Sequence, residues 1–140
     1  MPDSCLRLQI EGDLAGLEAG QRALHEFLES AGTSAGGLYH AELAFEELVT
    51  NVIKYAYRDR DPSQRLIDIT ARIGEEIVIT VEDDGPPFDP LHTAEPSPLT
   101  SVHDARIGGL GIHLLRMTAA KMEYERRSGK NRVCVTIQRT

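Results

Sequence analysis

Apolar and polar residues change period several times along this chain, and each change marks an element. Leu6, Leu8 and Ile10 alternate with polar residues, the period of a short strand with one buried face. Gly12-Asp13 interrupts it, and Asp13 can cap a helix. Over residues 14–31 the spacing lengthens to that of a helix, with Leu14, Leu17, Leu24, Phe27 and Leu28 on one side. Small residues at 32–37 predict a loop. A second helix is predicted over 38–57, where Leu38, Ala41, Phe45, Leu48, Val49, Val52 and Ala56 recur at helical spacing. Residues 58–65, with Pro62, read as a turn.

The period then shortens to two. Ile67, Ile69 and Ala71 alternate with polar residues, residues 74–76 turn the chain, and Ile77, Ile79 and Val81 form the partner strand of a hairpin. That strand ends at Asp83-Asp84-Gly85-Pro86-Pro87. Residues 89–107 include Pro90, Pro96 and Pro98 and show little periodicity, so they read as a lid or binding loop. Glycines at 108–111 open a helix over 110–121, and strands over 122–127 and 132–138 close the chain. The order β-α-α-β-β-loop-α-β-β predicts one α/β (α+β) two-layer sandwich over 1–140, with helices on one face of a mostly antiparallel, mixed sheet.

A chain of 140 residues is long enough to bury a core without disulfides or metal. Cys5 and Cys134 lie in apolar, strand-like runs and are expected to be buried thiols of a reducing compartment. No segment has the make-up of a signal peptide or approaches the ~20 apolar residues of a membrane span, so a cytoplasmic, soluble protein is expected. The net charge of -7 argues against direct binding of nucleic acid.

Three polar motifs stand out against this background. Glu47 and Asn51 are four residues apart on the second helix, within roughly 40° of each other around its axis. Asn51 offers a neutral oxygen to magnesium, a hard cation that takes most of its other ligands from water and phosphate. Glu47 is placed to accept a proton, whereas Glu46 lies about 140° from Asn51 and points elsewhere. A solvated helix face is the other reading of this pair. Asp83, at a strand end, can accept the hydrogen of adenine's exocyclic amine; Gly85 admits a close backbone approach and Phe88 an apolar wall. An ordinary turn is the alternative. Gly108, Gly109 and Gly111 clear side chains from a helix N-terminus, where free N–H groups favour phosphate. A flexible loop explains them equally. Arg106, just before the glycines, reaches a terminal phosphate or is simply solvated. His25 lies in a single helix, and His40, His92, His103 and His113 show no metal-ligand spacing.

In this order the motifs Glu47-Leu48-Val49-Thr50-Asn51, Asp83-Asp84-Gly85-Pro86-Pro87-Phe88 and Gly109-Leu110-Gly111-Ile112-His113 resemble the histidine-kinase-like ATPase superfamily. Within it the chain resembles the small anti-sigma-factor serine/threonine kinases, and the tail Tyr124-Glu125-Arg126 with Gly129-x-Asn131 is similar too. The resemblance implies a Bergerat-type ATP fold. It implies Asn51 on Mg2+, Glu47 as general base, Asp83 on the adenine amine, and Gly108, Gly109, Leu110 and Gly111 around the phosphates. It also implies partner switching: a sigma factor is held inactive, a STAS-type antagonist is phosphorylated, and homodimers are frequent. There are two departures, Ala120 where relatives often carry an acid and His113 where an apolar or aromatic residue is expected; both are expected near surfaces open to a partner rather than in the nucleotide site. Two other readings remain: a non-catalytic module responding to ATP or ADP, and a catalytic domain separated from a two-component histidine kinase.

Overall fold

The computed structural model describes residues 4–92 and 110–139. Strand β1 (Ser4–Glu11) leads into α1 (Leu14–Ser30), then α2 (Ala35–Asn51), which continues into a π-helical turn at Val52–Ala56. Strands β2 (Leu66–Ile73) and β3 (Glu76–Asp83) follow, then a short 3-10 turn at Pro90–His92. Helix α3 (Leu110–Thr118) precedes β4 (Lys121–Arg127) and β5 (Lys130–Gln138). The strands lie in the order β1-β2-β3-β5-β4. All four pairings are antiparallel, so the described sheet contains none of the parallel pairing that the word "mixed" anticipated.

The helices cover one face of this sheet because its strands alternate strictly. Ile67, Ile69, Ala71 and Ile73 on β2, Ile77, Ile79 and Val81 on β3, and Val133, Val135 and Ile137 on β5 are all buried. They pack with Leu24, Leu28, Phe45, Leu48 and Val49 of α1 and α2 into one core. The helices start where their caps dictate: Asp13 Oδ1 accepts from Gly16 N at 2.7 Å, and Ser34 Oγ accepts from Gly37 N at 3.0 Å. Helix α2 lies over β3 and β5, which brings its C-terminal end above the ends of those strands.

Three expectations are revised. The second helix is not uniform to residue 57: Tyr57 N bonds Val52 O at 2.8 Å, an i→i+5 bond that widens the last turn. Helix α3 stops at Thr118, because Ala120 N bonds Thr136 O and the chain enters the sheet. The cysteines are not buried: Cys5 is exposed on the edge strand and Cys134 is half-buried on the open face of the sheet, both at outward positions of the alternation.

Candidate functional site

The inward alternation of β3 and β5 ends on polar residues. After Ile77, Ile79 and Val81 comes Asp83, 5% exposed; before Val133, Val135 and Ile137 comes Asn131, 1% exposed. The strand register sets Asp83 opposite Asn131, and Asn131 opposite Arg126 on β4, so the three form one cross-strand row. Asp83 Oδ1 accepts from Asn131 Nδ2 and from Gly85 N, each at 2.9 Å. Asp83 Oδ2 makes no hydrogen bond among the described residues. Burial pushes the Asp83 carboxyl above its ordinary range, opposed by those two donors and by the Arg126 charge.

Asn131 gathers the turn after β3. Its Nδ2 also donates to Pro86 O at 2.8 Å, and its Oδ1 accepts from Phe88 N (3.0 Å), Tyr124 Oη (2.6 Å) and Arg126 Nη1 (3.2 Å). Arg126 Nη1 donates as well to Gly85 O at 2.8 Å. The other side of the turn is held by Tyr57, whose hydroxyl lies 2.8 Å from Asp84 Oδ1 and 2.5 Å from Leu66 O and accepts from Asp84 N. Arg60 pairs with Asp84 and lies over the Tyr57 ring. Gly85 sits between these clamps: a Cβ there would lie 2.8 Å from the Ala56 carbonyl oxygen in the π-helical turn.

Across the cavity from this row stands the end of α2. Asn51, 5% exposed, donates from Nδ2 to Glu47 O at 2.7 Å. A carbonyl only accepts, so the amide nitrogen faces the helix and Oδ1 faces away from it. Glu47 is half-buried while Glu46 is exposed. Burial raises the Glu47 carboxyl above its ordinary range, the Glu46 charge adds to that rise, and Lys54 opposes it. Both are the contrasts expected if Glu47 faces the cleft side and Glu46 the solvent.

Asn51, Asp83, Phe88 and Asn131 line one cavity together with Leu48, Val52 and Val133. Its volume is about 10 Å³, room for about one water. A larger cleft of about 600 Å³ lies beside it, lined by Tyr55, Arg58, Arg60, Gln64, Pro87 and Phe88. The larger hollow contains neither Asn51 nor Asp83, so the chemistry belongs to the smaller one. Phe88 is the wall between them and stacks on Tyr55 with centroids 5.2 Å apart.

Of the residues predicted from sequence, the structure thus brings Asn51, Asp83 and Phe88 to one cavity. It sets Glu47 one helical turn before Asn51 and gives Gly85 a packing role under Ala56. Leu110 and Gly111 lie in the first turn of α3, the helix that was expected to open there. Arg106, Gly108 and Gly109 lie outside the described residues. Sequence reasoning left Asn131, Tyr55 and Tyr57 without a role. For Asn131 a signal existed: an amide at an inward position, in step with Val133, Val135 and Ile137. No cluster of three or more His, Cys, Asp or Glu side chains suits a metal among the described residues. A cation beside Asn51 would therefore draw its other ligands from water and substrate, a donor set suited to Mg2+.

Residues 10–137 match the histidine kinase-like ATPase domain. The chain belongs to that family. It is 30% identical over 95 residues to the serine/threonine-protein kinase BtrW of Bordetella bronchiseptica, a match covering 67% of this chain and 66% of BtrW. It is 28% identical over 127 residues to the serine-protein kinase RsbW of Listeria monocytogenes, covering 86% of this chain and 80% of RsbW. The match thus spans just under two thirds of BtrW's length. Among solved structures, a chain of the SiaB–SiaC complex of Pseudomonas aeruginosa superposes with a TM-score of 0.72 at 12% identity, covering 94% of this chain and 88% of that one. The RsbU and RsbW domains of a Mycobacterium tuberculosis protein give 0.67 at 15% identity, covering 96% and 32%. At such identities the likeness is one of fold, and it is the histidine kinase-like fold that the three motifs implied.

Proposed function

We propose that this histidine kinase-like ATPase domain binds Mg-ATP between α2 and β3 and phosphorylates a serine or threonine of a STAS-type antagonist protein, as the anti-sigma arm of a cytoplasmic partner switch. The observation that carries this reading is the single cavity shared by Asn51 and Asp83, two buried polar residues from distant parts of the chain. The names of the relatives BtrW and RsbW support the serine/threonine specificity, and the SiaB–SiaC complex supports a protein partner. A sigma factor as the regulated target, and a homodimer as the working form, complete the reading.

Each side chain then has a task. Asp83 Oδ2 accepts the amine hydrogen of adenine, and Asn51 Oδ1 would hold a magnesium ion, which would supply positive charge for the transferring phosphoryl group. Glu47 takes the proton of the attacking hydroxyl. Burial raises its pKa, which makes its carboxylate a stronger base. The oxygen of that hydroxyl bonds to the γ-phosphorus as the bond to the β,γ-bridging oxygen breaks, and ADP leaves. A base does not fit a space of about 10 Å³. Its entry separates Phe88 from Tyr55 and opens the cavity toward the 600 Å³ cleft.

The test is direct. The antagonist is isolated on the immobilised protein from its native cell and incubated with the protein and Mg-ATP, and its intact mass is measured. One phosphoryl group is expected on the antagonist. Glu47→Gln, which keeps the size of the side chain but cannot take the proton, should lower the transfer rate by about 10²–10⁴-fold while leaving ATP affinity within a few-fold. Nucleotide binding without any transfer to a bound antagonist would leave a nucleotide-responsive binding module instead.

A further inference from the structure

Asn131 is buried to 1% exposure at a position where the strand pattern calls for an aliphatic side chain. A buried amide destabilises a fold unless every polar atom is paired, and here every one is. Both Nδ2 hydrogens are used, one on Asp83 Oδ1 and one on Pro86 O. Oδ1 accepts from the backbone of Phe88, the hydroxyl of Tyr124 and the guanidinium of Arg126. No capacity is left over for a ligand, although Asn131 lines the cavity. Whatever it does for a ligand it does through Asp83 and through the turn.

We propose that Asn131 is the positioning residue that sets base selectivity: by holding one oxygen of Asp83 it commits the other to a hydrogen-bond donor on the base, and it locks Phe88 against that carboxylate. The claim rests on the adenine-nucleotide reading above and extends it to a residue that reading does not use. The chemistry follows from the donor count. With Asn131 Nδ2 and Gly85 N both on Oδ1, the carboxylate cannot rotate without losing two bonds. Oδ2 is then a fixed acceptor. It suits a purine bearing an exocyclic amine and meets the keto oxygen of a 6-oxopurine acceptor to acceptor. Only a primary amide supplies two donors on one side and an acceptor on the other at this position. Aspartate lacks the donors and leucine lacks everything.

Equilibrium titration of the full chain with Mg-ATP and with Mg-ITP, which carries a 6-keto group instead of the amine, separates the outcomes. The unaltered protein should prefer ATP by at least about tenfold, the discrimination expected when a buried acceptor is left facing an acceptor. In Asn131→Ala the ATP affinity should fall by about tenfold while ITP affinity moves by less than about threefold, so that the preference collapses. A purely structural role would weaken both nucleotides together and leave the ratio intact, and that result overturns the proposal. If Asn131→Ala does not fold, Asn131→Ser, which restores one donor in a smaller side chain, is judged by the same ratio. If the unaltered protein binds neither nucleotide, the ATP reading itself fails, an outcome distinct from an unchanged ratio in the variant.

Discussion

Asp83 shows how one residue's environment assigns its chemistry. It occupies the last inward position of β3, where an isoleucine would add stability, and burial raises its carboxyl above the ordinary range. For an acid with a raised native pKa, the folded state holds the extra proton between the unfolded and folded titration points, so stability falls as pH rises through that window. Asp83→Asn removes this opposing contribution and keeps an oxygen for Asn131 and Gly85. Thermal unfolding at neutral pH should give a midpoint no lower than that of the unaltered protein. The same variant presents an N–H₂ where the proposed adenine contact needs an acceptor, and calorimetry should show ATP affinity reduced by about 10–100-fold. A large drop in melting temperature together with normal ATP binding would contradict the role assigned to Asp83.

At the scale of elements, the junction between the end of α2 and the turn after β3 decides the geometry of the site. The π-helical turn at Val52–Ala56 places the Ala56 carbonyl against Gly85, backbone on backbone. Gly85→Ala forces a Cβ to 2.8 Å from that oxygen, and neither partner is a flexible side chain. Denaturant unfolding should report a loss of about 1–3 kcal/mol, with nucleotide affinity falling as the Asp83 carboxylate loses the Gly85 N–H. A second junction joins α1 to α2. His25 Nδ1 lies 2.5 Å from Glu42 Oε1, and Nε2 lies 3.2 Å from Glu29 Oε2. The Glu42 hydrogen bond is the largest cause of a His25 pKa above the ordinary 6.5. A histidine raised in this way stabilises the fold fully below its unfolded pKa, and the contribution is lost as pH rises through the folded one. The difference in urea midpoint between the unaltered protein and His25→Gln should therefore shrink as pH increases above about 6.5. A difference that grows with pH would reverse the assignment.

The molecule as a whole works as a two-layer frame that holds the end of a helix over the end of a sheet. Because Asn51 and Asp83 come from different layers, a ligand that engages both ties the layers together and stabilises the fold by linkage. At nucleotide concentrations of about 100 times Kd this adds roughly 2.7 kcal/mol, a rise in Tm of about 5–10 °C for a chain of this size. Omitting magnesium should shrink the rise, and Asn51→Ala should make it insensitive to magnesium. No shift at millimolar Mg-ATP would remove the nucleotide from the picture. Among the described residues no helix is long and apolar enough to cross a membrane.

Much of this was legible in the order of residues alone. The two-layer class and the places of β1 to β5 and of α1 to α3 follow from periodicity, because burial on one face of a strand or helix imprints its own repeat on the chain. Glu47, Asn51 and Asp83 were picked out as candidates by spacing and family resemblance, and the structure sets Asn51 and Asp83 on one cavity. The π-helical turn was not legible, since its effect on the spacing of apolar residues is too slight to distinguish from a regular helix. The place of Asn131 beside Asp83 was not, because register is a relation between strands: only pairing β5 with β3 sets Asn131 opposite Asp83. Nor could Phe88 be read as the partition between a one-water cavity and a wider cleft, which depends on its stacking with a tyrosine from another element. Local pattern determined which segments fold into what and which residues bear reactive groups. Tertiary packing decided which of those groups share a cavity, because hydrogen bonds and burial act between residues that the linear chain keeps far apart.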